Sequence, residues 1–561
     1  MLSQQLRAKR KTAVLFLAAG AIAGIQAAPL ANAQALSAQY VPIMQSFAGN
    51  GTAGYLGDTG AATAAELSAP WGVAYDASGN LYIADNKNNV IRKVAVGTGT
   101  ITTVAGGGSS PTTCSGTTDS VGDGCLATSA TLNDPEQVAF DPAGDIYISD
   151  HGNNRIREIN ILTGIITTAV GNGTKGSYTV GVAATATPLN GPRSVQIDSA
   201  GDIFVANSSQ NSVFEVPAAS PGLTVLYAGT GKNATTSGDS GLATAATFAG
   251  PYSMTIDSSG NLYFVDHTNS VIRKVTASTG LISTVAGISG STGNSGDGGL
   301  ATAATLNTPV GAFVDPAGNL YIASNGANTV REVNAQTQII STIAGNGTAG
   351  NTGIGGAAIA AELNADSAVA VSPNGNQLVV SSTSNNTVNA VYLDSSFPST
   401  AVGSSSGSQG MNVEAVSGGT AVSYQLGAGV PADFSVGTVV GCPGAMSAGS
   451  LCTAGVTFTP VAPGVRNSRL VLTDSASDGY VLGISGTGLA AAAAFLPGTI
   501  NGYAGTGAAG STGDAGAATA ATLHGPGGTA LDVTGKVYIA DTGNNKVRMI
   551  SAATGDRKST R

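Results

Sequence analysis

Charge is scarce in this chain. Asp, Glu, Lys and Arg make up 10% of its 561 residues, and the balance is acidic, with a net charge of −9. Proteins that track phosphate backbones need a basic footprint, so nucleic acid is not an expected partner. Histidine occurs three times, as His151, His267 and His524. The sequence shows no Ser-His-Asp context, no P-loop and no dinucleotide fingerprint, because its glycine runs lack the strand–loop–helix frame that phosphate binding requires. Long apolar runs are also missing. Thr12 to Ile25 is apolar but short, and no other stretch could span a bilayer.

That one apolar run follows Arg7, Lys9, Arg10 and Lys11 and precedes Ala31-Asn32-Ala33. A basic segment, an apolar segment and a small-residue cleavage site make residues 1–33 a secretory signal peptide, with an uncleaved anchor as the alternative. Taking those four cations from a net charge of −9 leaves −13 for a mature chain starting at Gln34, with no membrane span of its own. Cysteine is limited to four residues in two close pairs, Cys114 with Cys125 and Cys442 with Cys452. In an exported protein these read as two local disulfides. Metal binding is disfavoured by the lack of CxxC spacing and of nearby histidines.

Glycine, in contrast, is abundant at 80 residues, and it recurs at fixed places. Trp71 to Val94 reads WGVAYDASGNLYIADNKNNVIRKV: three short β signals separated by turn chemistry at Asp76–Gly79 and Asp85–Asn89. Its Asp76 recurs as Asp141, Asp198, Asp257 and Asp315, with Ser372 in a sixth copy, at spacings of 57 to 65, and again as Asp532. A glycine loop with an ATAAEL-like portion precedes each meander; Thr63 and Glu66 are expected to close a capping box there, with Leu67 pointing inward. One more strand precedes each loop, from Ile101 to Ala105 in the first interval, and Tyr40 to Phe47 fills that role ahead of the first copy. The sixth meander has no fourth strand after it, so Tyr40–Phe47 is expected to pair with the strand ending near Val391 and close a ring.

The pattern P-x-G-V-A-x-D-x-x-G-N-[LI]-Y-[IV]-A-D-x-x-N-N-x-[IV]-R resembles the NHL repeat family, whose members form six-bladed β-propellers, and is most similar to the Gly-rich repeats of secreted bacterial proteins. The resemblance covers residues 40–393 and returns at 499–561. Copy three departs from it with Phe214 in the place of Arg92 and Val180 in the place of Asp58. Copy six departs with Ser382 for Asp85 and Ile354 for Asp58. Residues 395–488 break the pattern with alternating strand signals, including an expected hairpin from Phe458 to Leu472 around Pro463-Gly464. They resemble the immunoglobulin-like domains of the abnormal-spindle/hydin type. Residues 489–498 read as linker. Residues 499–561 restart the repeat as the beginning of a second, truncated propeller; DRKSTR stands where the repeat calls for a strand. The expected class is therefore all-β: a six-bladed propeller, an Ig-like β-sandwich and a partial propeller.

Three residue sets bear on chemistry. His151 and His267 occupy matching places in copies two and four. One NHL-like family of peptide-amidating lyases binds zinc through histidines, but Asn86, Ser208 and Asn325 stand at the other matching places, so polar turn residues are expected. Asp58, Asp123, Asp239, Asp297 and Asp514 sit singly in glycine loops and read as Asx turns or caps rather than calcium ligands. Asp85, Asp150, Asp266 and Asp541 read as turn caps. Arg92, Arg157, Arg273 and Arg331 alternate with apolar neighbours, which places them on a solvated blade face. No catalytic, cofactor or metal residue is expected. The resemblance implies a secreted, periplasmic or cell-surface binding or scaffold protein presenting propeller loops to a protein or glycan, with a propeller lyase or hydrolase acting on the ring axis as the alternative.

Overall fold

The computed structural model describes residues 38–40, 42–108, 119–177, 179–219, 222–373 and 375–393, and, with short interruptions, 396–489 and 504–560. The signal-peptide reading of residues 1–33 lies outside it, as do Cys114 and nearly all of the linker. Among the described residues, no helix is long and apolar enough to cross a membrane.

Six four-stranded antiparallel sheets follow one another from residue 70 to residue 392. The first is built from Pro70–Tyr75, Leu81–Asp85, Val90–Val94 and Ile101–Gly106. The innermost strands of the next five are Pro135–Phe140, Pro192–Ile197, Pro251–Ile256, Pro309–Val314 and Asp366–Val371. Each innermost strand packs on the next, and the sixth packs on the first, so the sheets are blades around one axis. Met44–Ala48 is the outer strand of blade six. It pairs antiparallel with Thr387–Tyr392, Met44 opposite Val391. Closure is therefore as the repeat count requires, with a shorter strand than expected: Ala38–Tyr40 pairs instead with Gln409–Ala415 of the following unit.

Local sequence explains each corner. In the first turn of blade one, Asp76 Oδ1 accepts from the backbone N–H groups of Ser78 (3.0 Å) and Asn80 (2.8 Å), and Gly79 takes a φ of 87° that a β-carbon would oppose. The second turn is a 3-10 turn, Asn86–Asn88, ended by Asn89 in the left-handed region at φ 56°. Asn tolerates that conformation and then uses its side chain as a tie between blades. Asn89 Oδ1 accepts from Asp134 N–H (2.9 Å), Asn211 Oδ1 from Gly250 N–H (2.8 Å), and Asn386 Oδ1 from Ala69 N–H (3.0 Å), the last joining blade six to blade one.

The ATAAEL portion forms a single 3-10 turn, Ala62–Ala64. The capping box does not form: the capping position is Ala61, with no side-chain bond, and Glu66 Oε2 instead receives Leu56 N–H at 3.5 Å. The alanines are there for flatness. Ala62, Ala65 and Leu67 are buried against the blade faces, with Leu67 pointing inward as expected.

The arginines correct the sequence reading most sharply. Arg92, Arg157, Arg273 and Arg331 are fully buried, not solvated. Arg92 Nη2 donates to Asp58 Oδ1 (2.8 Å) and Nη1 to Asp85 Oδ2 (3.4 Å); Arg157 does the same with Asp123 (2.8 Å) and Asp150 (3.3 Å). Asp58, Asp123, Asp239 and Asp297 are thus ion-pair partners rather than turn caps, and Asp514 lies outside the described residues. The second set does cap: Asp85 Oδ1 takes Ser68 N–H at 2.7 Å and Asp150 Oδ1 takes Asn133 N–H at 2.8 Å. A charge can enter an interior only when paired and hydrogen-bonded, and in blades one and two the arginine is clamped between two carboxylates, whereas Arg273 and Arg331 each pair with one, Asp239 and Asp297. Blade three replaces all three members at once, with Val180, Asn207 and the buried Phe214. Blade six has Ile354, Ser382 and Asn389. In both blades the whole set becomes neutral together, and neither keeps a stranded charge.

Residues 396–489 form two sheets face to face around a core that includes Phe397, Phe434, Phe458 and Leu472. Cys442 and Cys452 are bonded within it, and Cys125 in blade two is also disulfide-bonded. The expected Phe458–Leu472 hairpin is absent. Leu451–Phe458 lies in one sheet and Gly464–Asp474 in the other, where it pairs with Gly479–Leu489. The segment between them crosses the core edge and is pinned by Asp433, which accepts from Val461 N–H (2.8 Å) and from Arg466 Nη2 (2.8 Å).

The C-terminal sheet repeats the blade pattern with Pro526–Leu531, Val537–Asp541 and Lys546–Ile550. Arg557–Thr560 takes the fourth-strand place, where the sequence had promised none. Strand pairing is a backbone property, and a run of Arg, Lys, Ser and Thr suits an outer edge.

Candidate functional site at the two ends of the axial channel

The six innermost strands start at equivalent positions, so the residue after each leading residue forms a ring around the axis. That ring is Trp71, Glu136, Arg193, Tyr252, Val310 and Ser367. One layer further in, Gly72 and Gly311 permit close packing. A β-carbon on Gly72 would meet Glu136 O at 2.2 Å, and one on Gly311 would meet Ser367 O at 2.8 Å. The channel is therefore pinched here to a cavity of about 20 Å³, lined by Trp71, Glu136, Arg193 and Tyr252 among others. That is room for about one water.

The polar groups at this pinch form a chain. Arg193 Nη1 donates to Glu136 Oε1 at 2.7 Å, and its guanidinium carbon lies 4.3 Å from the Tyr252 ring centre. Tyr252 stacks on His267, centroids 4.1 Å apart, and His267 Nδ1 lies 2.9 Å from Pro309 O. Burial pushes the Glu136 carboxyl up to about 7, against the pull of Arg193. Burial, helped by Arg193, holds the His151 imidazole down at about 4. His151 Nδ1 is 3.7 Å from Glu136 Oε1, and with the ring neutral this contact is not an ion pair. Glu136 Oε2 is buried without a hydrogen-bond partner.

The histidines thus sit at the same channel end but in different employment. His267 is one of a set of blade-to-blade ties. Asn86 Nδ2 bonds Pro135 O (3.2 Å) and Thr383 Oγ1 bonds Pro70 O (2.7 Å) from the matching places. Among the described residues, no three of His, Cys, Asp and Glu are grouped as a metal ion would need.

At the strand ends the channel widens to a cavity of about 310 Å³. Its wall is more apolar than polar: Tyr75, Phe140, Met254, Phe313 and Val371, with Asp76, Gln137, Gln196, Thr255 and Ser372 as polar members. A second lobe of about 390 Å³ shares Gln196, Phe313 and Pro316 with the first and is walled by Asp198, Asp257 and Asp315. Asp257 accepts from Asn261 Nδ2 (2.8 Å) and Tyr263 Oη (3.2 Å). Partial burial pushes its carboxyl up, but the bonds from the Asn261 side chain and from the Asn261 and Ser259 backbone, with the nearby Lys274, hold it below its usual value. Neither lobe is lined by Lys, Arg, His or Cys.

Sequence reasoning passed over Glu136, Arg193, Tyr252 and Phe313. A signal was available. Within an otherwise constant frame, the position after the leading proline runs Trp, Glu, Arg, Tyr, Val, and such variation inside a fixed frame marks a surface released from the packing constraint.

Comparison with known proteins bears out the repeat. Residues 67–93 and 132–159 match the NHL repeat family model. The chain is 26% identical over 276 residues to Protein SUPPRESSOR OF QUENCHING 1, chloroplastic, of Arabidopsis thaliana, across 48% of this chain and 25% of that protein. It therefore spans about a quarter of that relative's length. An auxiliary nutrient binding protein from Bacteroides thetaiotaomicron VPI-5482 is similar at a TM-score of 0.45 and 13% identity, covering 63% of this chain and 76% of that one. Virginiamycin B lyase from Staphylococcus aureus is similar at 0.35 and 14%, covering 64% and 99%. The matched repeats are the cores of blades one and two, and the same frame recurs around the ring: the chain is an all-β protein carrying NHL repeats on a β-propeller.

Proposed function

We propose that this is an exported, non-enzymatic binding or scaffold protein whose propeller face receives a protein or glycan ligand. The observation that carries the reading is the division of the axial channel. The end with acid, imidazole and guanidinium groups is closed to about 20 Å³ and its groups are largely consumed in holding blades together. The open end has volume within the range of ligand sites but a wall more apolar than polar. Shape and apolar contact retain a ligand; they do not move protons. Export rests on the basic and apolar segments before Gln34, and the acidic balance argues against nucleic acid.

The test uses the purified full chain on glycan and peptide arrays, alongside turnover assays with gluconolactone and virginiamycin B. Specific retention of a glycan or peptide without turnover supports the reading. Turnover of either compound that is lost in Glu136→Gln would overturn it in favour of a propeller enzyme on the ring axis.

A further inference from the structure

The chain passes between the ring and the sandwich twice. Met44–Ala48 and Thr387–Tyr392 are neighbours in blade six, and each leads to a strand of the sandwich, Ala38–Tyr40 before the first and Ser396–Ala401 after the second. A cleft of about 360 Å³ lies at this junction. The ring side supplies Gln45, Phe47, Tyr75, Gln377 and Tyr392, together with the aliphatic and glycine-rich turn that follows Val94. The sandwich side adds four hydroxyl residues, among them Ser408. No Asp, Glu, Lys, Arg or His stands among the described residues of its wall.

Gln377 gives the cleft its specificity. It is 8% exposed. Its Oε1 accepts from Tyr75 Oη at 2.7 Å, which fixes the amide, while its Nε2 donates to no described residue. The half-buried Gln45 amide likewise bonds to no described residue. An ion entering this wall would lose its water without meeting an opposite charge. A wholly apolar molecule would leave the buried Gln377 donors unpaired. A sugar ring meets both conditions: its C–H face packs on aromatic rings, and its hydroxyls accept from amides as well as donate. The volume lies in the range of small-ligand sites.

We infer that the cleft between ring and sandwich binds an uncharged saccharide of one or two rings. The ring face lies against Phe47 and Tyr75, and the hydroxyls take the donors of Gln377 and Gln45. Tyr75 also lines the wide mouth of the channel, so the cleft adjoins the face already described. This assignment rests on the binding reading above and names both its ligand class and the place where that ligand sits.

The probes are maltose, cellobiose, lactose and diacetylchitobiose, with cellobiouronic acid as a charged counterpart and toluene as an apolar one. Each is titrated into the full native chain and followed by ligand-observed NMR. At least one neutral disaccharide is expected to bind, at least tenfold more tightly than cellobiouronic acid and with an affinity indifferent to salt. Gln45→Ala removes an amide that the fold does not use, and Ser408→Trp fills the cleft from an exposed position. Each is expected to weaken binding at least tenfold while keeping the parent's melting curve. Gln377→Glu keeps the acceptor of Tyr75 but replaces the donors, and is expected to weaken binding by at least as much. Failure of all four disaccharides to bind the native chain would overturn the assignment without recourse to any variant. So would tighter binding of toluene than of any sugar. A glycan or peptide captured on the arrays whose retention is unchanged in both Gln45→Ala and Ser408→Trp would leave the binding reading intact and sink this one. Turnover lost in Glu136→Gln would sink the binding reading instead, and disaccharide binding by that variant, still abolished by Ser408→Trp, would uphold the cleft.

Discussion

At the scale of the residue, the buried arginines decide most. Arg92 lies between Asp58 and Asp85 with no exposed surface of its own. Removing one member of such a set strands a charge, and Arg92→Ala is expected to cost about 3–5 kcal/mol. The chain itself supplies the control. Importing the blade-three residues together, as Asp58→Val, Asp85→Asn and Arg92→Phe, leaves no charge behind and is expected to cost far less than the single change. Urea denaturation of both variants checks this, and a triple variant as damaged as Arg92→Ala would contradict it. Asp366 is a second decisive residue. It stands where the other blades begin with proline, fully buried, and burial pushes its carboxyl up to about 8 from a usual 3.8. Between those values the fold binds more protons than the unfolded chain, so this contribution is full below about pH 4 and is lost as pH rises through 8. Melting Asp366→Asn beside the parent at pH 5 and pH 8 is expected to show the variant gaining on the parent at the higher pH. A constant difference would show that the carboxyl is ionised throughout.

At the scale of the element, the blades were legible because their signals are local. Asp76 with Gly79 marks a turn wherever it occurs, and apolar triplets between such turns have only one antiparallel arrangement. Closure by an N-terminal strand followed from counting strands. The arginines escaped for a reason that is also local. Alternation shows which side chains share a face, but not whether that face meets water or the glycine loop that leads into the same blade. In the sandwich, Phe458 and Leu470 look like facing strands of one hairpin, yet both point into the same core from opposite sheets. Alternation cannot tell these cases apart. At the channel, the members of the ring of Trp71, Glu136, Arg193 and Tyr252 lie about sixty residues apart, so the ring shows in the sequence only when the repeats are laid over one another and the position after the leading proline is compared. The closing strand gives the element-scale prediction. A chain starting at Gly49 lacks the partner of Thr387–Tyr392 and presents a bare sheet edge. Concentration-dependent light scattering is expected from it and not from the parent; a monodisperse truncated chain would mean that another segment seals blade six.

At the scale of the whole molecule, the C-terminal sheet contrasts with the ring it imitates. Ala84 and Ile91 are fully buried in blade one, but their counterparts Ala540 and Val547 are exposed, Val547 by 48%. A lone sheet has no neighbouring blades to cover its faces. Amide exchange in Val537–Ile550 is therefore expected to be at least a hundredfold faster than in Leu81–Val94, read by mass spectrometry of the full chain. Similar protection in the two segments would show that the sheet is covered in solution.

Ring closure also sets a clock. Met44 and Val391 face each other across one ladder but are made about 350 residues apart. At synthesis rates of about 5–20 residues per second, the first strand waits roughly 17–70 s before its partner exists. Throughout that delay, five nearly finished blades hang between two ragged ends. Long-range pairing of this kind is slow even once both ends are present. The nascent protein thus spends its most vulnerable minute as an open arc, and any factor that shields strand edges during biogenesis acts on that arc before it acts on the ring.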